Sequence, residues 1–129
     1  MSEAPDPLDG ADWKVVNGDA LEILRGLPDG CADLVLTDPP YFKVKDDDWD
    51  RQWETGGKFI AWLATIADEW RRVLKPNGSL YVFASPQMAA RVEVMLAERF
   101  AVLNHIAWAK PTGRHSGVEQ KALRAYFPQ

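Results

Sequence analysis

Asp38, Pro39, Pro40 and Tyr41 set a carboxylate, two prolines and an aromatic ring in consecutive positions, within the stretch VLTDPPYF. Proline fixes its own φ and restricts the residue before it, so two in a row hold Asp38 and Tyr41 in set directions. Neither proline has an N–H, which leaves their carbonyls free to accept hydrogen bonds from a ligand. Asp38 adds a second acceptor and Tyr41 a flat apolar face. Such a set suits an aromatic amino group, the exocyclic amine of adenine or cytosine, held between two acceptors and a ring. A base in a duplex must leave the stack before chemistry can reach it. Stacking on an aromatic side chain then contributes roughly 1–3 kcal/mol. The competing reading is a rigid turn with Tyr41 packed in the core; the place of the motif, at the end of an apolar run, favours the first.

The flanking elements are expected to position this corner. Residues 1–12 read as a leader rich in Pro, Asp and Gly, and 13–129 as one domain. Trp13–Asp19 (WKVVNGD) reads as a short strand entering a turn. Asp19 can cap a helix over DALEILRGL, with Glu22 three residues on in a capping-box pattern. Cys31–Thr37 is an apolar run without alternation, which suits a strand buried on both faces of a parallel sheet. Lys43–Gly57 is charged and aperiodic and reads as a loop. Phe59, Leu63, Ile66, Trp70 and Val73 then recur at spacings of four, three, four and three, an amphipathic helix stopped by KPNG. Ser79–Ala84 is a second buried strand. Ser85-Pro86 reads as an N-cap with proline in the first helical position, ahead of a helix with Met88, Val92, Met95 and Leu96 on its core side. Ala101–Pro111 is a third strand. Strands alternating with helices predict an α/β fold with a mostly parallel sheet, whose ligands gather at the carboxyl ends of the strands.

Composition narrows the functional classes. Six tryptophans and an apolar fraction of 47% are enough for a core. The one cysteine, Cys31, gives no disulfide framework, which fits a reducing cytoplasm. His105 and His115 match no common metal spacing, so no metal is expected. No run approaches the roughly 20 apolar residues of a membrane span, and the acidic N-terminus does not resemble a signal peptide. The net charge of −4 conceals an asymmetry: residues 1–50 hold 13 acids and 4 bases, residues 51–129 hold 11 bases and 6 acids. The basic C-terminal part is compatible with an anionic partner or with a plain solvated face.

NGDALEILRGLPDGCADLVLTDPPYF resembles the opening of the amino-group DNA methyltransferases of the permuted, β-type arrangement, above all the phage- and prophage-type site-specific adenine enzymes. EWRRVLKPNGSLYVFAS and IAWAKP are similar to the stretches that follow the catalytic loop in that group. The resemblance implies a Rossmann-like S-adenosylmethionine-dependent sheet acting on double-stranded DNA, in the cytoplasm of a bacterium or a phage-infected host. Asp38 and the carbonyl of Pro39, held by Pro40, would accept from the target amine, whose lone pair attacks the sulfonium methyl of S-adenosylmethionine with no metal and no covalent enzyme intermediate. Tyr41 would stack on the base and Phe42 would form a second apolar wall. Asp19, with Ala20 beside it, and Asp38 would lie near the cofactor; a helix cap is an equal reading for Asp19. Lys43 and Lys45 would approach phosphates or be solvated. DDDWDRQW would close over the substrate, or Trp49 and Trp53 would pack beneath it. Trp108 and Lys110 read as core and surface. Asp in the first position of the motif favours adenine N6 over cytosine N4.

The chain also departs from that group. It holds no F-x-G-x-G stretch; ETGGKF is the one paired-glycine segment, and it follows a charged loop instead of a strand. In the permuted arrangement the missing motif lies C-terminal to a target-recognition region. The expectation is the catalytic part alone, with an incomplete sheet whose apolar edge and face pair with a second copy or a complementing chain. Two rivals stay open: a nucleotide- or DNA-binding remnant that catalyses nothing, and a methyltransferase acting on an RNA base or a glutamine side chain.

Overall fold

The computed structural model describes residues 6–40 and 56–110. Its elements run α1 (Ala20–Arg25), β1 (Ala32–Thr37), α2 (Gly56–Val73), β2 (Leu74–Val82) and α3 (Ala89–Ala97). Asp19 starts α1 as predicted: its backbone is extended and its Oδ1 accepts from the Glu22 N–H at 3.1 Å. That bond satisfies one of the orphan donors of the first turn.

The 4-3-4-3 spacing of α2 becomes a buried stripe. Phe59, Leu63, Ile66, Trp70 and Val73 are all buried, with Ala67 between them. Met88, Val92 and Met95 from the α3 region complete the cluster, and Leu21, Leu24, Val35, Leu80 and Val82 pack against its edge. The core therefore lies between α2, α3 and one face of the sheet.

β1 and β2 pair in parallel, from Leu34 opposite Ser79 to Thr37 opposite Val82. Ala32 pairs with Leu74, so Lys75–Gly78 forms an irregularity inside β2. KPNG is thus not a loop between helix and strand, since α2 ends at Val73 and β2 begins at Leu74. Gly78 is needed at the re-entry. A Cβ there would lie 3.0 Å from the Lys75 carbonyl oxygen and 3.2 Å from that of Asp33.

Three strand expectations change. Residues 13–19 and 101–110 are not strands: β1 and β2 pair only with each other among the described residues. Apolar, β-branched composition favours a strand only where a neighbour can supply the ladder, and Trp13, Val15, Leu103 and Ile106 lie exposed. Nor is β1 buried on both faces. Val35 faces the core, whereas Leu34 and Leu36 are 52% and 64% exposed, because helices cover one side of the sheet alone among the described residues.

One arginine ties the first helix to the second. Arg72 donates from Nη2 to the Leu24 carbonyl at 2.7 Å, from Nη1 to the Leu27 carbonyl at 2.8 Å and Asp29 Oδ1 at 2.7 Å, and from Nε to Glu69 Oε2 at 2.8 Å. It thereby binds the Leu24 carbonyl in the last turn of α1, which also accepts from the Leu27 N–H at 3.0 Å, and the Leu27 carbonyl just beyond the helix. These hydrogen bonds to Asp29 and Glu69 push the guanidinium pKa up.

Candidate active site

The carboxyl end of β1 is where sheet geometry delivers the corner. Thr37 pairs with Val82, and the Phe83 N–H donates to the Thr37 carbonyl at 3.0 Å. That bond holds the two chains together at the point where each leaves the sheet. β1 continues into Asp38, Pro39 and Pro40, and β2 into Phe83, Ala84 and Ser85. Asp38 is exposed; both prolines are half-buried. The prolyl pair meets the exit of β2 across a cavity of about 10 Å³, with Leu63 of α2 and Val92 of α3 in its floor. Pro39 and Pro40 therefore rest on the main core, and Asp38 is carried above it in reach of solvent.

Of the residues singled out in the sequence, Asp38, Pro39 and Pro40 sit together at this corner. Asp19 and Ala20 are exposed at the start of α1, and the described role of the Asp19 carboxylate is the helix cap. Tyr41, Phe42, Lys43 and Lys45 lie outside the described residues, as do Trp49 and Trp53. Gly56, the first glycine of ETGGKF, opens α2 and faces α3: a Cβ there would lie 2.6 Å from Arg91 Nη1.

Sequence reasoning misses two residues beside the corner. Phe83 lines the cavity and makes a tilted ring contact with Trp108, with centroids 5.8 Å apart. Trp108 is 74% exposed, so it is not core. Ser85, expected to cap the following helix, does so by its backbone alone: its carbonyl accepts from Met88 and Ala89 at 3.0 and 2.9 Å. The helix proper begins a turn later at Ala89, with Met88 in the capping position and no side-chain cap bond. Ser85 is 4% exposed, and its hydroxyl has no hydrogen-bond partner among the described residues. A buried orphan hydroxyl leaves no mark in the sequence, where Ser-Pro reads as a cap.

Among the described residues no group of three or more His, Cys, Asp or Glu side chains is arranged to hold a metal ion, and no helix is long and apolar enough to cross a membrane.

Comparison with known proteins gives this corner a family. Residues 32–126, most of the chain and all of the sheet and helices around the corner, match the DNA methylase family of N6 and N4 enzymes. The chain belongs to that DNA methylase family. It is 32% identical over 107 residues to the DNA adenine methyltransferase YhdJ of Escherichia coli, covering 83% of this chain and 35% of that protein. It is 31% identical over 113 residues to the type II methyltransferase M.BglII of Bacillus subtilis, covering 80% of this chain and 31% of that one. The chain thus spans about a third of the length of these curated relatives. For a DNA methylase the described structure is a coarse match: an α/β arrangement whose parallel strands deliver an acidic, proline-rich corner at their carboxyl ends.

Proposed function

We propose that the chain is the catalytic part of a site-specific DNA methyltransferase. It would transfer a methyl group from S-adenosylmethionine to the N6 amine of an adenine flipped out of double-stranded DNA. The observation that carries this reading is the placement of Asp38 and Pro39, directly beyond a parallel strand and anchored on the core, in a chain of the DNA methylase family. The relative named DNA adenine methyltransferase supports transfer to adenine, and the one named type II methyltransferase supports methyl transfer without naming the base. The resemblance to the permuted, phage-type enzymes and to a Rossmann-like sheet belongs to this reading.

In this mechanism the Asp38 carboxylate and the Pro39 carbonyl each accept a hydrogen bond from the adenine amine. Both acceptors would raise electron density on the nitrogen, and the two prolines restrict the backbone that carries them. When bound, S-adenosylmethionine would supply an electrophilic methyl group and leave as the neutral thioether S-adenosylhomocysteine, the amine giving up one proton to solvent. The exposed Asp38 carboxylate suits the reacting end of such a donor, and Asp19 is the second acid proposed near it. Tyr41 would stack on the base, Phe42 would wall it, and Lys43 and Lys45 would meet phosphates. A second copy or a complementing chain is proposed over the open side of the sheet, where Leu34, Leu36 and Tyr81 are exposed.

The test is transfer of labelled methyl from S-adenosylmethionine to unmethylated DNA, followed by digestion to nucleosides. Label in N6-methyladenine that is lost in Asp38→Ala is the expected result. Label in N4-methylcytosine would move the assignment to the other amine of the family. Label confined to RNA or protein, or undiminished in Asp38→Ala, would overturn the reading.

A further inference from the structure

We propose that Ser85 is a positioning residue for the Asp38-Pro39-Pro40 corner, acting through one water molecule held in the cavity between them. Its catalytic consequence rests on the methyltransferase reading; the contact rests on the geometry alone.

The Ser85 hydroxyl faces a polar deficit. It is 4% exposed and has no partner among the described residues, while a buried hydroxyl left unpaired is costly. Its ordinary use, capping the next helix, is not taken up: α3 starts at Ala89, and the backbone carbonyl of Ser85 makes the turn by itself. The same residue lines the cavity of about 10 Å³ that Pro39 and Pro40 also line. That volume stands at the lower limit for one water, which also needs two to four polar partners. The other side chains around it, Phe59, Leu63, Phe83, Met88 and Val92 among them, are apolar. Among the described residues, polar partners therefore come from Ser85 and from the backbone. The prolines offer carbonyl oxygens and no N–H. Among the described residues Ser85 carries the one side-chain hydroxyl of the lining, and a water it binds can donate onward to a prolyl carbonyl. Such a bridge fixes the peptide plane of the corner, and with it the directions of the Pro39 carbonyl and the Asp38 carboxylate.

The experiment compares the full chain with Ser85→Ala and Ser85→Cys. Alanine removes the donor and some volume; cysteine more than restores the volume, its sulfur being larger than oxygen, and weakens the donor. With carbonyl-13C proline incorporated, the Pro39 and Pro40 carbonyl resonances are read by NMR alongside methyl transfer kinetics. The expected result is a shift of those carbonyls in both variants, and kcat reduced about tenfold with the KM for DNA unchanged. Unmoved carbonyls in both variants would overturn the inference, whatever happens to thermal stability, because Ser85 would then be a helix-start residue only. Carbonyls that move in alanine but are restored in cysteine would also overturn it, by assigning the effect to packing. Moved carbonyls with unchanged kcat would remove the positioning role. If the unaltered chain transfers no methyl group, the function fails, and the carbonyl signals alone decide whether Ser85 holds the corner.

Discussion

Leu63 supports the corner from below, and its truncation gives a measurable link between core and site. The side chain is fully buried near the middle of α2, and it lines the cavity under Pro39 and Pro40. Leu63→Ala removes three carbons. At about 0.8 kcal/mol per buried methylene-sized group, the lost transfer energy alone is about 2.4 kcal/mol. The void adds to this, because an 18-residue helix pinned by Phe59, Ile66 and Trp70 cannot collapse inward around one position. The total should fall at about 3–4 kcal/mol, within the range of about 2–5 for buried leucines. Against a domain stability of about 5–15 kcal/mol that is a large share. With a urea slope of about 2 kcal/mol/M, the midpoint should drop by about 1.5–2 M. Urea unfolding followed by tryptophan fluorescence reads it, since Trp70 is buried in the same cluster. Leu63→Met, which keeps the volume, should cost less than about 1.5 kcal/mol. An alanine variant that loses no more than the methionine variant would refute the placement of Leu63, and with it the claim that the corner rests on α2.

Three further outcomes follow from other parts of the molecule. Arg72→Lys cannot reproduce the fork that reaches Leu24, Leu27, Asp29 and Glu69, so hydrogen exchange at the α1 amides should quicken; unchanged protection would show that α1 holds without it. Gly78→Ala should cost about 1–3 kcal/mol, because its Cβ meets backbone oxygens that cannot swing away; an unaltered melting temperature would contradict the bulge. The Asp6 carboxylate accepts from the Leu8 N–H at 2.9 Å and the Gly10 N–H at 2.6 Å, which holds its pKa below the ordinary aspartate value. Its folded pKa is depressed, so the turn over Asp6–Gly10 is held fully above the ordinary aspartate pKa and released as pH falls through the lowered one. A carboxyl NMR titration with an ordinary midpoint would refute that turn.

Patterns with a strong local cause are legible in the residues themselves. Asp19 has the type and position of a helix cap, and it caps; the spacing from Phe59 to Val73 becomes the buried stripe of α2. The family is legible too, in the order of short motifs around D-P-P-Y. Expectation and fold diverge where local signal and neighbourhood part company. Trp13–Asp19 and Ala101–Lys110 have strand composition without a strand to pair with among the described residues. KPNG has the composition of punctuation but lies inside β2, because a parallel pairing can absorb extra residues as a bulge.

Which elements can form, and what the corner can do chemically, follow from neighbours along the chain: helix periodicity, a capping acid and the fixed φ of two prolines are all local. What the corner rests on is a matter of packing across the fold. Only the parallel pairing of β1 with β2 brings Pro39 and Pro40 beside Ser85, more than forty residues away in the chain. Burial then leaves an ordinary serine hydroxyl without a partner among the described residues, beside the prolines of the corner, a property set by the surroundings of a side chain and not by its identity.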